Sequence, residues 1–119
     1  MESILTSIKK MLGIAEECTD FDPDVIMNIN SELMTLGQLG VGPAEGFSIC
    51  DDTATWIDFL GNSTNIEAVK TYVFIQVKLV FDPPPSSAVI ASYERKAKEL
   101  EWRLNVAIDK PGEEAGQNG

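Results

Sequence analysis

Histidine is absent from the chain, and with it the side chain that most often serves near neutral pH as general base, metal ligand or triad member. Cysteine is scarce: Cys18 and Cys50 are too few and too far apart for a metal cluster, and both read as plain thiols. No serine sits in a nucleophile-elbow sequence. Carboxylates alone can hydrolyse glycosides, but that chemistry needs a cleft that a chain of 119 residues would struggle to supply. These gaps argue against an enzyme, and no catalytic, cofactor-binding or metal-binding residue can be named. Cations are few as well, nine Lys and Arg against nineteen Asp and Glu, for a formal charge of −10. Binding nucleic acid by neutralising phosphates needs clustered cations, so the balance argues against it, though not against a surface that DNA passes without sticking. No stretch approaches the roughly 20 apolar residues that span a bilayer, and no signal-peptide pattern opens the chain. A soluble protein made in the cytoplasm, without membrane partners, is expected.

What is present is acid, unevenly spread: nine of the ten net negative charges fall in residues 1–63. The length fits one domain with a core of its own. Ser3 is placed to cap a short amphipathic helix with the stripe Ile4, Leu5, Ile8, Met11 and Leu12, stopped by Gly13, with Lys9 and Lys10 on its polar face. Asp20, Asp22 and Asp24 imitate the first ligands of a calcium loop, but Val25 stands where the tight turn needs Gly and Ser31 where a bidentate Glu is needed. The plainer reading makes Asp22 the cap of a second helix, with Pro23 at its first position and Val25, Ile26, Ile29, Leu33 and Leu36 as its stripe. The glycines from Gly37 to Gly46 close a helix rather than open one and lack the partners of a phosphate loop, so they read as a helix exit and mobile loop. Phe47-Ser48-Ile49 suggests a brief extended piece, and Asp51 or Asp52 a cap for a short helix through Trp56, Ile57, Phe59 and Leu60, stopped by Gly61 and Asn62. Trp56 and Phe59 share one face of it; most such pairs belong to a core, but on a helix of about two turns some of that area could serve a partner.

The chain is organised around residues 64–104. Thr64 and Glu67 have the spacing of a capping box. Beyond them Ile66, Val69, Val73, Val77 and Val80 keep helical spacing, while Tyr72, Phe74, Ile75 and Leu79 put apolar groups on the other faces, the mark of a central helix. Residues 71–77 alone would pass as a buried strand, but the run to the prolines is too long for one. Pro83, Pro84 and Pro85 make a stiff corner. Ser86 or Ser87 then caps a second helix with the stripe Val89, Tyr93, Ala97, Leu100 and Leu104, supported by the pairs Glu94 to Lys98 and Glu99 to Arg103. The predicted fold is all-α, a bundle of four to five helices over residues 1–108 with a central hairpin (about 64–81 and 87–106). Residues 109–119 are expected to form a flexible tail, disordered when alone.

The run Tyr72-Val73-Phe74-Ile75-Gln76-Val77-Lys78-Leu79-Val80-Phe81-Asp82-Pro83-Pro84 and the ending Lys98-Glu99-Leu100-Glu101-Trp102-Arg103-Leu104 resemble the head-tail connector, or adaptor, proteins of long-tailed double-stranded-DNA phages. Weaker likeness extends upstream through Gly46-Phe47-Ser48-Ile49, Leu36 to Gly42 and Asp24 to Asn30. The resemblance implies a virion protein that assembles as a homo-oligomeric ring, usually of about twelve copies, below the portal. Such a ring extends the DNA channel and joins the portal protein to a downstream neck or tail-completion protein; the family has no catalytic residues to carry over. On that reading Glu16, Glu17, Asp20, Asp51 and Asp52 would face the channel and let DNA slide without specific binding. Trp56, Phe59, Trp102 and Ile108 would serve subunit or portal contacts, the last two with the tail. The alternative is an acidic DNA mimic that inhibits a host DNA-binding protein; it needs paired acids along one long face, whereas many acids here sit at helix starts.

Overall fold

The structure, a computed structural model, describes residues 2–61 and 65–109, with side chains as far as Val106. Five helices follow one another: α1 (Ile4–Leu12), α2 (Asp22–Gln38), α3 (Trp56–Leu60), α4 (Ile66–Phe81) and α5 (Ser87–Asp109). There is no sheet among the described residues; the isolated antiparallel bridge between Ser3 and Thr55 joins the start of α1 to the start of α3.

Residues 66–81, nearly continuous in apolar side chains, form the central helix, and the strand alternative for 71–77 is overturned. Helices α1, α2, α3 and α5 all pack on α4, so it buries Val69, Tyr72, Val73, Ile75 and Val77. Each such burial is worth about 1.5–3 kcal/mol before the entropy of ordering is set against it. Asn65 occupies the cap position of α4; Thr64, expected to cap it, lies outside the described residues, as do Asn62 and the expected tail residues 110–119. At the other end Asp82 leaves helical geometry at φ −151°, as a residue before proline must. Across the corner, the Val89 N–H donates to Ser86 Oγ at 3.4 Å and starts α5.

Two expected caps are corrected. Asp22 is itself the first residue of α2, with Phe21 at the cap position and no side-chain cap bond, because its carboxylate is drawn to Lys9. Helix α3 is capped by Thr55, not Asp51 or Asp52: Thr55 Oγ1 accepts from the Asp58 N–H at 3.2 Å and Asp58 Oδ2 accepts from the Thr55 N–H at 2.8 Å, a complete capping box. The pair won because it satisfies two terminal N–H groups reciprocally.

The long connection between α2 and α3, expected to be mobile in its glycine-rich part, is fastened. Asn30 donates to the Ile49 carbonyl at 2.9 Å and accepts from the Ile49 N–H at 2.7 Å. The Phe59 ring lies so close to Gly42, at φ +90°, that a Cβ there would stand 2.4 Å from Phe59 Cε1. Phe47 packs on the same ring at 5.2 Å between centroids. The Ile4 N–H donates to the Ala54 carbonyl at 2.8 Å. Residues 47–49 enter no strand.

Candidate interaction surfaces

Helix α5 carries two faces of different character. The inner stripe Ala97, Leu100 and Leu104 is buried, and Tyr93 meets Phe74 edge-on at 6.3 Å. Val89, expected in that stripe, is exposed, since it sits on the first turn, beside the end of α4. The outer face runs Ala88, Ala91, Arg95, Lys98, Trp102 and Val106, in steps of three or four residues that keep one side of a helix. All six are exposed, Trp102 at 67 %. At its border Glu99 accepts from Arg103 at 2.8 Å and faces Lys96 at 3.6 Å. Glu94 and Lys98 do not form the expected pair, and neither Lys98 nor Arg95 joins an ion pair among the described residues. Helix α5 is also seven residues longer than α4, about 10 Å of extra helix.

The acids of the first half gather on another side. Glu16, Glu17 and Asp20 lie exposed on the link between α1 and α2. That link is held from within by Lys9, which is not on the polar face of α1 as expected but only 3 % exposed. Its Nζ donates to the Glu16 carbonyl at 3.0 Å and the Cys18 carbonyl at 2.7 Å. It also meets Asp22 Oδ1 at 2.9 Å, as a charge contact rather than an aligned hydrogen bond. Asp51 and Asp52 are exposed in the loop ahead of α3. Asp51 Oδ1 accepts from the Thr53 hydroxyl at 2.6 Å and the Thr53 N–H at 3.0 Å, which lowers its pKa. Between link and loop lies a groove of about 680 Å³, with Leu5, Ile26 and Ile49 among its apolar walls and Asp22, Asp51 and Asp52 among its polar ones.

The remaining expected residues divide sharply. Trp56 and Phe59 do not reach the surface: they are 1 % and 3 % exposed. The indole Nε1 of Trp56 donates to Ser7 Oγ at 2.8 Å, and that hydroxyl donates on to the Ile4 carbonyl, while Phe59 is taken up by Gly42 and Phe47. Their apolar area is spent inside the chain. Ile108 lies on the last turn of α5, beyond the side chains described.

One polar cluster was not foreseen. Tyr72, fully buried, donates to Glu101 Oε2 at 2.8 Å, so Glu101 is turned toward α4. Burial and then this hydrogen bond push the Tyr72 phenol up from its ordinary value. Glu32 of α2 stands close enough to feel the Glu101 charge; burial chiefly pushes its carboxyl up, against a hydrogen bond with Gln76. The cluster ties α2, α4 and α5 at one level. With the phenol held as a donor it fixes register rather than offering a base.

A family model described as phage connector protein matches residues 4–111. The chain belongs to the phage connector protein family. The match takes in all five helices. No curated protein and no solved structure matches the chain. The connector is thus a structural phage protein whose family works through contacts with other head and tail proteins, so its functional parts are surfaces. Among the described residues no helix is long and apolar enough to cross a membrane.

Proposed function

We propose that this connector is an adaptor of the virion neck, assembled as a ring below the portal, extending the DNA channel toward the next neck or tail component. The observation that carries the proposal is the outer face of α5. A helix whose inner stripe already satisfies the monomer carries a second face with an exposed tryptophan, and such a surface fits a protein that works by contact. Tryptophan is among the residues that dominate binding energy when buried at an interface. The portal is the proposed partner of the last turn of α5, around Ile108, and of the segment after it, while Trp102 on the outer face is left to subunit contacts.

Glu16, Glu17 and Asp20 are the proposed channel-facing acids, their link anchored by Lys9 so that the carboxylates stay outside. Repeated around a ring they give a negative lumen that repels the phosphate backbone and lets DNA pass. The test is electron microscopy of virion necks and of the purified protein with portal. A ring of this chain seated on the portal is expected; this chain located elsewhere in the particle refutes the proposal. Truncation after Asn105 is expected to abolish portal binding, and a truncated chain that still binds refutes the docking assignment.

A further inference from the structure

We infer that neighbouring copies of the connector join head to tail, the outer face of α5 on one copy seating in the acidic groove of the next. The inference deepens the ring reading and rests on it. Three observations carry it. The groove has apolar walls, Leu5, Ile26 and Ile49, beside the carboxylates Asp22, Asp51 and Asp52. The outer face of α5 carries the opposite charge, an exposed Trp102 with Arg95 and Lys98, which join no ion pair among the described residues. The two surfaces belong to different parts of the fold, since α5 packs on α4 while the groove is built from α1, the start of α2 and the loop before α3.

The occupant is a second copy because the charges are complementary and each surface offers apolar side chains to the other. The groove is open to solvent, and its apolar walls Leu5, Ile26 and Ile49 give the Trp102 indole a surface to lie against. Lys98 lies about 6 Å and Arg95 about 10 Å along the helix from Trp102, within reach of the paired carboxylates of the loop. The chain's own last ten residues, with Lys110, Glu113 and Glu114, carry net negative charge and do not suit an acidic rim, and DNA suits it less. Unlike surfaces meeting head to tail make a heterologous contact, the kind that propagates around a ring and closes when the rotation fits. Asp51 and Asp52 therefore serve the neighbouring subunit, leaving Glu16, Glu17 and Asp20 to the channel.

The test is sedimentation velocity on the full chain at low salt, up to millimolar concentration, for wild type, W102A, R95E/K98E, D51K/D52K and the four-substitution chain combining both charge reversals. Every substituted side chain is exposed, and circular dichroism checks that each variant keeps its helices. Wild type is expected to self-associate, and W102A and each charge pair to weaken it by about tenfold or more. The four-substitution chain, with the charges exchanged, is expected to recover most of the loss. A wild type that stays monomeric throughout, charge variants that associate like wild type, or a four-substitution chain that fails to recover would each overturn the inference. So would variants that form normal rings and lose only the portal, which would assign the α5 face to that partner. Images of virion necks decide the ring reading separately: a ring whose subunits keep α5 and the groove apart sinks this interface and leaves the adaptor standing.

Discussion

Lys9 offers the sharpest check on how the acidic link is held. Substitution Lys9→Met keeps most of the aliphatic stem on α1 and removes the ammonium. The carbonyls of Glu16 and Cys18 then lose donors at 3.0 and 2.7 Å, and Asp22 loses its counter-charge at 2.9 Å. Removing one member of a buried ion pair costs about 3–5 kcal/mol. The Asp22 side chain is 22 % exposed, so water relieves part of the loss and the expected cost is at the lower end, about 3 kcal/mol. For a domain of this size that is about 10 °C in Tm. Asp22→Asn, which leaves Lys9 its two carbonyls and an uncharged oxygen, is expected to cost less, about 1–2 kcal/mol. The double change Lys9→Met with Asp22→Leu removes both charges beside the apolar walls of the groove. It is expected to cost less than Lys9→Met alone, because no uncompensated charge remains. The assay is urea unfolding at pH 7 in a Trp102→Phe background, where the fluorescence reports on buried Trp56. A Lys9→Met chain within about 0.5 kcal/mol of its parent, or a double change equal to the sum of its parts, would refute the reasoning.

Gly42→Ala is expected to cost about 3 kcal/mol, from a left-handed backbone and a Cβ thrust into the Phe59 ring. Gly46→Ala, at φ +95° with open space around it, is expected to cost only about 1 kcal/mol; equal losses in urea titrations would show that the Phe59 contact does not matter. Glu32 has a folded pKa raised above its ordinary 4.5 by burial, so the stability it contributes is fully present below that value and is lost as pH rises through the folded one. Glu32→Gln is therefore expected to be more stable than wild type at pH 7 and to show a flatter rise toward acid in urea midpoints; a variant less stable at pH 7 would reverse the sign. Asn30→Ala leaves both backbone groups of buried Ile49 without their partner and is expected to cost about 2 kcal/mol. Since Ile49 lines the acidic groove, the same change is expected to weaken self-association, and wild-type association from a destabilised chain would separate the two roles.

The linear pattern of residues determined most of the helices, because helix formation is governed by neighbours within four positions. Ser3 and Gly13 bracket α1 by local hydrogen bonds, the stripe Val25, Ile29, Leu33 and Leu36 marks the buried side of α2, and the three prolines leave residues 64–104 no choice but a hairpin. Trp102 as an exposed aromatic was legible too, since it falls opposite Ala97, Leu100 and Leu104. A partial signal for Lys9 was present: it lies four residues after Leu5 and three before Leu12, at the edge of the apolar stripe, while Met11 on the other edge is exposed. What satisfies a lysine in that place is a pair of carbonyls from a link whose path no local rule dictates. Tertiary structure alone decided that Trp56 and Phe59 turn inward, that Tyr72 joins Glu101 over twenty-nine positions of sequence, and that α1, α2 and a distant loop enclose one groove. Periodicity tells which side of a helix shuns water; which neighbour covers it, and what is left uncovered for another molecule, depends on contacts between segments whose separation the sequence does not encode locally.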